Sequence, residues 1–139
     1  MLTRVLFAIF VLIGAAGNVS AQESTVVALG LADHEVTKDE LTGGAEFVAP
    51  RFNSGGVAYV LIAHAKKGDK VEVALIKDGK ILMQNARELD ADEAGLLLQA
   101  GKTGVPAGGW PDGAYTARVK VTRGGETIAE QETDAIPFE

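Results

Sequence analysis

Between Trp110 and Glu126 the chain reads WPDGAYTARVKVTRGGE, and this stretch decides the fold. Its middle alternates strictly: Tyr115, Ala117, Val119 and Val121 are apolar on one parity, while Thr116, Arg118, Lys120 and Thr122 are polar on the other. Side chains of an extended chain point to opposite faces in turn, so a period of two predicts a half-buried strand over Ala114–Thr122 with one wet face. A helical period would bring Arg118 and Val119 beside Tyr115 and mix charge into the apolar stripe. Both ends carry turn chemistry. Pro111 presets φ, and Asp112 and Gly113 suit the positions that follow. On the far side Gly124 and Gly125 supply the positive φ angles of a two-residue hairpin. The chain then returns over Glu126–Thr133 as a polar strand. Its Glu130 and Glu132, with Asp134 beyond, would deter pairing with another chain, which places it at a sheet edge.

Upstream the same grammar repeats. Val71, Val73 and Leu75 alternate with Glu72, Ala74 and Ile76, Lys77-Asp78-Gly79-Lys80 turns the chain, and Ile81–Asn85 returns. Val57–Ala65 is apolar on both faces except at His64, the pattern of a central strand. Thr25–Val36 and Glu46–Phe52 are weaker strand candidates. Asp90–Ala100 reads two ways. Asp90 and Glu93 have the spacing of a helix capping box, whereas Gly95 and the Leu96-Leu97-Leu98 run favour a short strand over Gly95–Gln99. About seven short strands with turn signals between them predict an all-β chain, a single β-sandwich of antiparallel strands.

The stretch Gly108–Glu130 resembles the last hairpin of exported bacterial immunoglobulin-like domains. Trp110, Pro111, Gly113 and Tyr115 match the lead-in of such a hairpin, and Gly125, Ile128 and Ala129 match its return. The resemblance implies an immunoglobulin-like sandwich used in binding or assembly, and it carries over no catalytic residue.

The N-terminus predicts export. Arg4 precedes an apolar run over Val5–Ala16, followed by small residues at Val19-Ser20-Ala21, the layout of a cleavable signal peptide. A spanning helix needs about 20 apolar residues, and Gly17, Asn18 and Ser20 interrupt this run too early. Residues 1–21 are thus expected to be a leader and 22–139 a single periplasmic or secreted domain. The 139-residue chain holds 19 Asp and Glu against 13 Lys and Arg, for a net charge of −6, and loss of Arg4 makes the mature domain more negative. Such a balance disfavours nucleic acid, whose affinity comes from neutralised phosphates, and offers no polybasic patch to anionic lipid. The absence of Cys excludes disulfides, so the core must hold the domain alone.

No catalytic constellation stands out, and no cofactor is expected. Gly101-Lys102-Thr103 echoes a phosphate-binding loop, but the Gly such a loop needs five residues before its second Gly is Leu96. Ser24 and Ser54 sit outside any nucleophile motif, and Glu88, Asp90, Asp92 and Glu93 read as a solvated acidic turn. Two candidate sites remain. Trp110 and Tyr115, with Pro111 and Asp112 between them, either close the end of the core or contact a protein partner in the cell envelope, and the Gly101–Gly113 loop is the expected binding edge. Alternatively His34, His64 and Met83 offer imidazole and thioether ligands to a metal or small ligand carried by the domain. Against that carrier reading, the histidines lie far apart in sequence, and strand spacing would put Asp33 and Glu35 on the face opposite His34.

Overall fold

Residues 24–139 are described by a computed structural model, and the leader expected over 1–21 lies outside the described residues. Among the described residues seven strands follow one another: β1 (Thr25–Ala32), β2 (Gly56–Ala65), β3 (Lys70–Lys77), β4 (Lys80–Glu88), β5 (Glu93–Lys102), β6 (Tyr115–Arg123) and β7 (Glu126–Glu132). A short helix, α1 (Lys38–Thr42), lies between β1 and β2. The strands form two antiparallel sheets, ordered β1-β2-β5 and β4-β3-β6-β7. The fold class expected from sequence, all-β with antiparallel strands, is the one observed.

Alternation explains the core. Val71, Val73 and Leu75 of β3 and Tyr115, Ala117, Val119 and Val121 of β6 turn inward together. They meet Ala58, Val60 and Ile62 of β2 and Leu96, Leu98 and Ala100 of β5 in one apolar cluster between the sheets. Two hairpins set the register of the four-stranded sheet. Asp78 and Gly79 have φ of 51° and 81°, and Gly124 and Gly125 have 59° and 84°. Consecutive left-handed residues twist a two-residue loop in the sense that strands require. β7 is an edge strand, as its acidic residues predict.

The continuous apolar run of β2 has a separate cause. Its outward residues Val57, Tyr59 and Leu61 are buried as well, and the connector over 33–55 crosses back over that face at Tyr59. Val36 and Tyr59 form a second small core with Ala32, and Ala28, Leu41, Phe47 and Leu97 pack against it. Gln99 pins the connector. Its Oε1 accepts from the Val36 N–H at 2.7 Å and its Nε2 donates to the Val36 carbonyl at 2.8 Å, so a side chain serves as a neighbouring strand would. Gln99→Leu keeps the volume and removes both bonds. It is expected to destabilise the protein by about 1–3 kcal/mol and to speed proteolysis within 33–52, measured by urea unfolding and limited digestion.

Several local expectations differ from the structure. The strand predicted over Thr25–Val36 ends at Ala32, and its alternation is broken by a bulge between Val26 and Ala28 that turns both Val26 and Leu29 toward the core. Glu46–Phe52 is not a strand. It crosses the outer face without a pairing partner, held by Phe47 and ending at buried Pro50. Asp90–Ala100 resolves as strand, Glu93–Lys102, with Leu96, Leu98 and Ala100 inward. The helix that does form was not anticipated. Thr37 caps it by accepting from the Glu40 N–H at 3.2 Å, while Glu40 reaches back to the Thr37 N–H at 2.9 Å.

Candidate functional site

The connections divide unequally between the two ends of the molecule. Among the described residues, one end carries 33–55, 103–114, the tight Asp78-Gly79 turn and the segment 133–139, and the other carries short turns over 66–69, 89–92 and 124–125. The first is called here the loop end and the second the turn end.

At the loop end, Trp110 and Tyr115 are interior groups, 5% and 0% exposed. Trp110 Nε1–H donates to the Ser54 carbonyl and its backbone N–H to the Phe52 carbonyl, both at 2.8 Å. Its ring stands edge-on to Phe138 at 5.4 Å and to Tyr115 at 6.1 Å, and the Tyr115 and Phe138 rings stack at 3.8 Å. A Cβ on Gly56 would lie 2.8 Å from the indole, so the strand start beneath it must be glycine. The Tyr115 hydroxyl donates to the Pro111 carbonyl, and burial pushes its pKa up. Asp78 completes the corner. Its carboxylate accepts from the Ala114 N–H at 2.9 Å and pairs with Lys77, and these two contacts hold its pKa below the usual carboxylate value.

The candidate partner-contact set therefore splits. Pro111 and Asp112 are exposed, whereas neither aromatic ring offers a free face for stacking. What the loop end does expose is aliphatic and aromatic surface that the sequence reading did not single out. Phe52 is 52% exposed and Val105 53%, with Val48 on the connector and Ile81 and Leu82 beside the 78–79 turn. Of the large exposed hydrophobics among the described residues, only Val27 and Ile128 lie toward the turn end. Phe138, which closes the core, was also missed, because nothing near it in sequence marks a strand or a turn.

The proposed metal ligands are not brought together. His34 follows β1 at the loop end, and His64 stands near the far end of β2. Counting strand residues between them at roughly 3.3 Å each gives a separation of about 20 Å. Met83 faces inward opposite Leu75 and packs against the core. The flanking geometry expected at His34 is also corrected. The chain bends after Ala32, so Asp33 folds back onto Nδ1 at 2.8 Å while Glu40 reaches Nε2 at 2.9 Å. Both ring nitrogens are thus taken by carboxylates. His64 adopts a left-handed backbone, φ 60°, and its carbonyl accepts from Ser24 Oγ at 2.9 Å.

The remaining candidates are structural. Gly101 and Lys102 end a strand, and no helix follows to aim a cradle of N–H groups at a phosphate. Ser54 Oγ bonds to the Arg51 and Gly55 backbone. Asp92 accepts from the Lys67 N–H and Glu93 pairs with Arg87, so these two hold the turn end together, while Glu88 and Asp90 are exposed.

Among the described residues, that end has one buried charge. The Asp69 side chain is wholly buried, and Arg123 grips it with Nε at 2.7 Å and Nη2 at 3.0 Å. The Lys66 N–H adds a bond at 3.3 Å, and Ser24 Oγ lies 3.4 Å from the same oxygen. The Arg123 hydrogen bond, ahead of the other contacts, holds the Asp69 carboxyl below its usual pKa.

The fold and these contacts define a chain of two antiparallel sheets packed on one core, with tied-down polar clusters and an apolar loop end. No family model, curated protein or solved structure matches it.

Proposed function

We propose that this chain is an exported, non-enzymatic, immunoglobulin-like module that binds a protein partner in the cell envelope through its loop end. The observation that carries the reading is the exposure of Phe52 and Val105 on the long connections of that end, with Ile81 and Leu82 at the neighbouring start of β4, while the buried Trp110, Tyr115 and Phe138 rings pack beneath the Phe52 corner. Surface of this kind on loops fixed by a packed scaffold is the usual form of a contact site. The immunoglobulin-like assignment is supported by strand order, with the third, sixth and seventh strands sharing one sheet and the first, second and fifth the other. It is further supported by the tyrosine at the start of the sixth strand, whose hydroxyl bonds to backbone a few residues upstream. Export rests on the leader pattern over residues 1–21.

The test is site-specific photocrosslinking in intact cells. A photoreactive residue at Val105 is expected to give one discrete protein adduct that Phe52→Ser abolishes, while the same probe at Thr127 on the turn end gives none. Absence of an adduct at Val105, or equal adducts at both ends, overturns the reading. The mass of the recovered protein checks the leader in the same experiment, with cleavage after Ala21 expected.

A further inference from the structure

The connector over 33–55 is held on the outer face of the three-stranded sheet at two points of different chemistry. Gln99 grips Val36 through neutral hydrogen bonds, whereas α1 is tied to the end of β1 through His34. The His34 ring lies between Asp33 and Glu40, with Phe47 packed at 5.9 Å and Tyr59 behind Phe47 at 5.2 Å. A neutral imidazole has one N–H and one lone pair, so it donates to only one carboxylate. Two carboxylates within hydrogen-bond distance of both nitrogens are satisfied together only by the imidazolium. On loss of the proton, one of the two faces a lone pair instead of a donor. Glu40 also closes the helix N-terminus through Thr37, so the same side chain serves latch and cap.

We propose that protonated His34 latches α1 onto the three-stranded sheet, and that its deprotonation releases the α1 part of the connector while Gln99 keeps Val36 in place, uncovering apolar surface around Tyr59 and Leu97. This inference is independent of the loop-end partner. The charged groups acting on the ring among the described residues are Asp33 and Glu40. Tyr59 stands one ring away, and Gln99, from β5, is uncharged. The Asp33 hydrogen bond, then that of Glu40, raises the His34 pKa above the ordinary 6.5. A raised folded value means that the latch is fully present below 6.5 and is lost as pH rises through the folded pKa. Glu40 sets the lower limit. The His34 hydrogen bond, followed by that from the Thr37 backbone, lowers its pKa below 4.5, so its contribution is present above 4.5 and fails as pH falls through the folded value.

The test is amide hydrogen exchange of the mature protein at pH 5.5 and pH 9, expressed as protection factors so that the intrinsic pH dependence of exchange is removed. The reporters are the Leu41, Gly43 and Ala45 amides, which bond to the Thr37, Asp39 and Glu40 carbonyls. Protection is expected to fall roughly three- to tenfold between the two pH values, the size of two partly exposed ion pairs, while the amides of β6 hold theirs. His34→Gln should show the low value at both pH values. Glu40→Gln, which keeps the capping box, should instead be poorly protected at pH 5.5, where its amide N–H meets the imidazolium N–H. It should also lose the wild-type fall between pH 5.5 and pH 9, because the amide donates to the neutral ring's lone pair. Equal wild-type protection at both pH values, or variants protected as well as wild type at pH 5.5, overturns the proposal.

Discussion

Trp110→Ala is expected to lower the unfolding free energy by about 3–5 kcal/mol, the range found when a large aromatic leaves a packed core. The indole is 5% exposed, touches Phe138 and Tyr115 edge-on, and closes the loop end over Gly56. Its removal also leaves the Ser54 carbonyl without its donor. Urea unfolding of the mature domain measures the loss. The companion variant Tyr115→Phe keeps the stacked ring and deletes only the hydroxyl that bonds to Pro111, so a loss of about 1–2 kcal/mol is expected there. A Trp110→Ala protein as stable as wild type would contradict the role of the ring as the plug of the loop end. The expected order, Trp110→Ala well below Tyr115→Phe, instead places both side chains in the scaffold that supports the exposed surface of Phe52 and Val105.

Asp69→Ala is expected to cost about 2–4 kcal/mol. Removing one member of a buried pair usually costs more, because a charge is left in the interior. Here the survivor, Arg123, is 46% exposed and regains water. The reciprocal variant Arg123→Met strands the carboxylate instead. Its deficit against wild type should be largest at pH 7 and shrink as pH falls through the wild-type Asp69 pKa, since the guanidinium is the main reason that this pKa is depressed. With a folded pKa below the unfolded value of about 3.9, the wild-type stabilisation is present above that value and is lost as pH falls through the folded pKa. Urea melts at pH 7 and pH 3 on the two single variants and the double variant separate the pair from its surroundings. A double variant less stable than the sum of the singles predicts would contradict the pairing.

These two predictions concern contacts that the sequence hides. Asp69 and Arg123 are 54 residues apart, each beside a Gly turn, and neither position carries a pattern that points to the other. The same holds for Gln99 with Val36, and for Phe138 with Tyr115 and Trp110. The His34 latch was half visible. Thr37-Lys38-Asp39-Glu40 has capping-box spacing, and recognising it would have ended β1 early and turned Glu40 toward the ring. The candidate metal set failed for a related reason. Spacing along the chain carries no information about which end of a sheet a residue reaches, and the topology placed the two histidines at opposite ends.

What the sequence determined alone was local. The strict alternation over Tyr115–Thr122 and the Asp78-Gly79 and Gly124-Gly125 turns are set by backbone geometry within a few residues, so they are legible without the fold. The tertiary structure decided what covers what. The connector lies over Tyr59, the C-terminal Phe138 fills the space above Tyr115, and the bulge in β1 turns Val26 and Leu29 to the same side. Such choices depend on shapes that exist only once two sheets have met, because burial and charge pairing are properties of a neighbourhood and no single stretch of chain contains it.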